Sequence, residues 1–136
     1  MLSLRARIIT AEMGKIIEVT AAVIRRQDKV LIASRKQEGW EFPGGKIEPG
    51  ETAASALRRE LAEELTMENI LILDELYCIC HAYPEKTVRL HFMRTLLPEG
   101  ASFAPCEGQE VRWVTLPELF TCGLLPADRP LAEFLN

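Results

Sequence analysis

Between residues 45 and 64 the chain sets a glycine-rich loop against a helix pattern that is apolar on one side and densely acidic beside it. Ala54, Leu57, Leu61 and Leu65 recur at spacings of three, four and four, the stripe of a helix that buries one face. Thr52 is placed to cap its N-terminus, so the pattern predicts a helix over about 53–66. At about 100° per residue, Glu60, Glu63 and Glu64 fill an arc about 100° wide alongside the stripe and border the core. Like charges at helical spacing cost about 0.2–0.5 kcal/mol per pair, so three carboxylates at a core edge ask for a cation. Oxygen-only donors point to Mg²⁺ or Mn²⁺ rather than zinc. Such ions usually come with phosphates, and a magnesium-dependent enzyme acting on phosphates is the first expectation.

The rest of the chain limits what surrounds this segment. Its 136 residues make one domain with room for a real core. Residues 1–15 show no clear period and read as an N-terminal extension, or Met13 is the natural start. Runs at 16–26 and 29–34 are β-branched and separated by Gln27-Asp28, which predicts a hairpin. Residues 36–40 read as a loop, and Glu41-Phe42-Pro43-Gly44-Gly45 turns into the acidic helix. Further strands are expected at 70–81, 87–97 and 110–114, then a capped helix start at Thr115-Leu116-Pro117-Glu118 and a short terminal helix over 126–136. Strands flanked by helices, with hairpins and crossovers mixed, give an α/β sandwich around a mixed β-sheet.

Sixteen basic against twenty acidic residues leave a net charge of −4 and no basic stripe, which argues against a nucleic acid polymer as the main partner. No apolar run approaches the ~18 residues of a membrane span, and residues 1–15 lack a secretory signal's apolar region. Cys78, Cys80, Cys106 and Cys122 form no CxxC pair and are expected as reduced core thiols of a cytoplasmic protein. Cys78 and Cys80 face one way along a strand but are too close in sequence for an easy disulfide.

As a spacing pattern, Gly45, five residues, Glu51, seven residues, Arg59-Glu60-Leu61, one residue and Glu63-Glu64 resembles the Nudix box of nucleoside-diphosphate-linked hydrolases. With residue frequencies of about 0.07, the six fixed positions match by chance roughly once in 10⁷ windows, so the resemblance is specific. It covers most of the chain and is densest between Phe42 and Glu64. One position departs from the pattern: Thr66 stands where the family usually has a glycine suited to a left-handed helix end.

The resemblance implies a Nudix-type α/β/α sandwich over residues 16–136. It makes Glu60, Glu63 and Glu64 the ligands of Mg²⁺ or Mn²⁺, with the Gly44 carbonyl, and casts Glu51 and Arg59 as their supports. The ions would neutralise the polyphosphate and activate water, while a carboxylate accepts the water's proton. Glu107 sits where relatives bring a loop acid to the metal, and Glu110 competes with it. The general base stays open between the box glutamates and Glu107. Arg35 and Lys46 are the cations expected on phosphate.

Asp128 resembles the position that faces the base, the alternative being a cap for the last helix. Phe42 would offer the base its backbone or a stacking face, and simple packing is the alternative for both Phe42 and Trp40. A MutT-like nucleotide-pool sanitising enzyme follows, converting NTP and water to NMP and pyrophosphate, with 8-oxo-dGTP as substrate. The alternative is a CTP or modified-dCTP pyrophosphohydrolase. A catalytically silent nucleotide-binding module is a third reading. The expected partner is a small-molecule nucleoside triphosphate, for a monomer or homodimer off the membrane.

Overall fold

Thr20–Ile24, five consecutive residues, are all buried in the computed structural model, and they form the middle of strand β1 (Ile16–Arg26). A run buried on both faces belongs to a central strand. The structure describes residues 15–35, 38–106 and 108–136, with only the backbone of Arg35, so the expected N-terminal extension falls outside the described residues except for Lys15.

The antiparallel hairpin turns at Gln27-Asp28, where Gln27 takes a φ of 58°, and returns as β2 (Lys29–Arg35). On β2 pair β3 (Gly39–Glu41) and β7 (Val111–Thr115), both antiparallel. At Val19–Ala21 β1 pairs antiparallel with β4 (Gly44–Lys46), and over Ile16–Ile24 it pairs parallel with β6 (Thr87–Leu96). The strand β5 (Leu71–Ala82) closes the sheet against β6. The seven strands follow the order β3-β2-β1-β6-β5, with β4 beside β1 and β7 beside β2.

Each face of this mixed sheet carries its own core. Ala22 and Ile24 of β1 face Leu57, Leu61 and Leu65 of helix α1 (Ala53–Leu65) and Met67 just after it. Ala21 and Val23 face the other way, toward Phe92, helix α2 (Leu116–Leu119), a 3₁₀ turn (Pro126–Asp128) and helix α3 (Arg129–Leu135). The expected α/β sandwich is the fold observed. Among the described residues no helix is long and apolar enough to cross a membrane.

Three expectations need correction. The segments read as loop and turn contain β3 and β4, each three residues long; pairing with β2 and β1 makes them strands, since neither has an alternation of its own. In α1 the fully buried small residue is Ala56 rather than Ala54, so the helix meets the sheet slightly rotated from the expected stripe. The cysteines are free thiols, yet Cys78, Cys80 and Cys106 are exposed and Cys122 is half-buried. Cys78 and Cys80 lie on the edge strand β5, where packing on one side only leaves side chains open.

Candidate active site

Both ends of α1 are tied down by side chains. At the start, the Thr52 hydroxyl accepts from the Ser55 N–H at 3.0 Å and the Ser55 hydroxyl accepts from the Thr52 N–H at 2.9 Å, a reciprocal cap. At the end, Thr66 adopts a left-handed conformation (φ 52°, ψ 30°), and its N–H and that of Met67 both reach the Leu61 carbonyl. A β-branched residue adopts this region only under strain. Here its hydroxyl also accepts from the Ala104 N–H at 3.0 Å. The departure from glycine therefore leaves the helix end intact and adds a tether.

That tether belongs to a wider dock. Ala104 N–H donates to the Leu65 carbonyl (3.0 Å), Cys106 N–H to the Glu64 carbonyl (2.8 Å), and the Cys106 thiol to the Glu63 carbonyl (2.9 Å). The last turn of α1 is thus capped by the segment that leads to β7. The same dock brings the Gln109 side chain into a hydrogen bond with Glu64. Glu107 lies in this segment but outside the described residues. Glu110 is exposed, its N–H donating to the Ser34 hydroxyl at 2.8 Å.

On the flank of α1, Arg59 organises the acids. Its Nε and Nη2 grip the two Glu51 oxygens at 2.8 and 2.9 Å, and its Nη1 donates to Glu60 at 3.0 Å and reaches Glu63 at 3.4 Å. Nη2 also donates to the Lys46 carbonyl at 3.1 Å, which ties the helix to β4. Bidentate geometry of this kind fixes orientation as well as charge. The Arg59 hydrogen bonds, with one from the Glu48 N–H, pull the Glu51 carboxyl down to about 2.

Glu60 and Glu64 are held differently. The Glu60 side chain is only 13% exposed, against 62% for Glu63. A Cβ on Gly45 would lie 2.3 Å from the Glu60 carboxyl carbon, so only glycine lets that carboxylate rest on the strand. A Cβ on Gly44 would lie 1.9 Å from the Thr20 carbonyl, which explains the pair of glycines. Burial, and then the charge of Glu60, push the Glu64 carboxyl up to about 7 against the Gln109 hydrogen bond; Glu41 adds a further negative charge. A half-buried carboxyl pushed up by burial and by neighbouring carboxylates, with oxygen as the only donor atom, fits a divalent cation that prefers oxygen. Glu41 and Gln109 are the two members sequence reasoning missed. The motif context of Glu41 offered a signal; nothing local marks Gln109.

The residues expected to meet a base lie on the opposite face. Asp128 is 4% exposed, and its Oδ1 accepts from the Phe42 N–H at 3.1 Å. It makes no side-chain cap to α3, which removes the capping alternative. The Phe42 ring is buried edge-on against Phe92, with centroids 5.8 Å apart, so the side chain packs in the core and offers no stacking face. Trp40 packs half-buried on the same core beneath the Arg112 guanidinium, 4.5 Å from its ring centroid. Lys46 is exposed on β4, and Arg35 ends β2, its side chain outside the described residues. Consecutive residues thus serve both faces: Glu41 acts on Glu64, and Phe42 holds Asp128.

Comparison with known proteins agrees with this geometry. Residues 15–135 match the NUDIX domain model. The chain is 37% identical over 125 residues to the CTP pyrophosphohydrolase of Escherichia coli K12, covering 88% of this chain and 90% of that protein. It is 36% identical over 128 residues to the 8-oxo-dGTP diphosphatase of Haemophilus influenzae, covering 89% and 92%. Its fold is similar to the solution structure of the E. coli ORF135 protein, with a TM-score of 0.73, 34% identity, and coverage of 90% and 89%. With its box acids and their Arg59 support in place, the chain belongs to the NUDIX family of hydrolases.

Proposed function

We propose that this chain is a MutT-like pyrophosphohydrolase of nucleoside triphosphates, converting NTP and water to NMP and pyrophosphate with Mg²⁺ or Mn²⁺, and that 8-oxo-dGTP is its substrate. The observation that carries the reading is the convergence of the half-buried Glu60 and Glu64, with Glu41, beside the glycine pair. Glu60, Glu63, Glu64 and the Gly44 carbonyl hold the metal, joined by Glu107 from the docked segment. The divalent ion supplies charge neutralisation of the polyphosphate and acidifies water.

The chain's own groups do the rest. Arg59, anchored by Glu51, fixes where Glu60 and Glu63 point. Glu107 or a box carboxylate accepts the proton of the attacking water. Arg35 and Lys46 bind the phosphates. Asp128, oriented by the Phe42 backbone, meets the base. An ionised carboxylate only accepts hydrogen bonds, so it suits the N1–H and N2 amine of a guanine.

A second reading, a CTP or modified-dCTP pyrophosphohydrolase, is favoured by the same carboxylate, which equally suits the N4 amine of cytosine. The 37% identical relative carries that name. Incubation with Mg²⁺ and a panel of 8-oxo-dGTP, dGTP, CTP, dCTP, 5-methyl-dCTP and ADP-ribose, measuring NMP and pyrophosphate, tests both. A kcat/KM preference of about 100-fold for 8-oxo-dGTP, about 2.7 kcal/mol, supports the first reading, and a cytosine preference supports the second. No turnover on any of them would overturn both and leave a binding module.

A further inference from the structure

Away from the box acids, on the β1–β6–β5 part of the α1 face, a second constellation mixes nitrogen, sulfur and oxygen donors. His91 on β6 stands directly across from Cys78 on β5, so their side chains share a face. Glu75 would face the opposite way in a regular strand, being three residues before Cys78. The β5–β6 register shifts between Ile72 and Glu75 and again between Glu75 and Tyr77. This irregularity turns Glu75 onto the face of Cys78 and His91, and such bulges re-aim side chains next to functional sites. One ligand atom from each of Glu75, Cys78 and His91 lies within 4.8 Å of the others.

We infer that Glu75, Cys78 and His91 form a binding site for a borderline-soft divalent cation, with Zn²⁺ as its representative. Tetrahedral coordination at about 2.0–2.3 Å from the metal separates ligand atoms by about 3.3–3.8 Å. The present spread reaches that arrangement with a small movement of Glu75, which is exposed. A thiolate and an imidazole select against Mg²⁺, so the site does not compete with the all-oxygen pocket for its ion.

The surroundings of His91 fit a ligand. Its Nε2 lies 2.8 Å from Glu18 Oε1, and its Nδ1 lies 2.5 Å from Glu75 Oε1. With Nε2–H donated to Glu18, the protonated ring also donates Nδ1–H to Glu75, and once that proton leaves, the Nδ1 lone pair is the donor the cation takes. Arg89 holds Glu18 from the other side at 2.8 Å. A carboxylate behind a metal-binding histidine fixes its tautomer and raises its basicity. On binding, the thiol proton and any proton on Nδ1 pass to solvent. Glu75 and Cys78 are open to solvent, so the fourth position is left for water.

The test uses the full chain, stripped with a chelator and returned to saturating Mg²⁺, then titrated with Co²⁺ and separately with Zn²⁺. The expected result is one equivalent bound, with a thiolate-to-cobalt charge-transfer absorption that Cys78→Ser abolishes and Cys80→Ser retains. His91→Gln and Glu75→Gln should each weaken Zn²⁺ binding about 10-fold or more, and Glu18→Gln about 10-fold through the tautomer. Cys78→Ser should hydrolyse its nucleotide with Mg²⁺ as the parent does. Absence of the absorption, or its persistence in Cys78→Ser, would overturn the site. The readout is spectroscopic, so its failure is separate from failure of the proposed hydrolysis.

Discussion

On the α1 face of the sheet the carboxylates of Glu60 and Glu41 act against that of Glu64, whereas on the opposite face one carboxylate, Asp128, is buried and accepts from the Phe42 backbone N–H. The first arrangement is costly until a cation arrives, and its members come mostly from one short stretch of chain. The second joins residues 86 apart and depends on the packing of Phe42 against Phe92. Charge crowding is suited to bond breaking, which is common to every nucleotide. A single oriented acceptor is suited to choosing among bases. Changes in the Glu41–Glu60–Glu64 cluster should therefore alter turnover whatever the base, and changes at Asp128 should alter the order of preference.

The largest effect is expected from Glu60→Gln or Glu64→Gln, each lowering kcat/KM about 10³-fold, or about 4 kcal/mol. Steady-state assays on two bases check this, and unequal losses on the two would break the contrast. Gly45→Ala comes next. Its methyl group would collide with the flexible Glu60 carboxyl rather than with backbone, so activity should fall about 100-fold while the melting temperature stays near that of the parent. A collapse in melting temperature would mean that Gly45 serves the fold instead.

Arg59→Lys gives up the two-pronged grip on Glu51 and should cost about 10–100-fold in kcat. Wild-type kcat in that variant would remove Arg59 from the positioning role. Asp128→Asn should shift the ratio of kcat/KM between guanine and cytosine substrates by about 10-fold and leave the better substrate's kcat within a few-fold; an equal loss on all bases would place Asp128 in the chemistry.

The smallest effect is thermodynamic. Glu64 has a carboxyl raised to about 7 from an ordinary 4.5, so the folded chain binds its proton more tightly than the unfolded chain. Metal-free protein should lose stability as pH rises through that window. Glu51, lowered to about 2, contributes stability that is lost only as the solution becomes much more acidic. Mg²⁺ should accordingly raise the melting temperature more at about pH 8 than at about pH 5.5. A pH-independent rise would disconnect Glu64 from the ion.

What the chain discloses about itself follows the same division. The Thr52 cap and the Leu57–Leu61–Leu65 stripe are local or helical relations that spacing alone revealed, and the Glu51–Arg59 pair came with the resemblance of the motif around it. The pairing of β1 with β6 and the docking of Ala104, Cys106 and Gln109 on α1 join distant segments, and no period encodes them. Gln109 beside Glu64 was invisible for that reason. Glu41 was within sight of the motif but sits in a strand three residues long, too short to reveal which face it takes. The ends of β5 and β6 were legible, whereas the bulge at Glu75 was not, since it arises from pairing.

The borrowed cap at the end of α1 has a consequence for engineering. Residues Ala104 and Cys106 secure carbonyls and a hydroxyl some forty positions earlier in the chain. The acidic helix is therefore not a portable cassette. Moved to another scaffold with its loop and its glycines, it would carry its own start but leave its finish behind. A graft would have to bring the returning segment as well, or replace Thr66 by a residue that closes the helix unaided. The unit of inheritance here is the helix together with the strand-bound segment that returns to it.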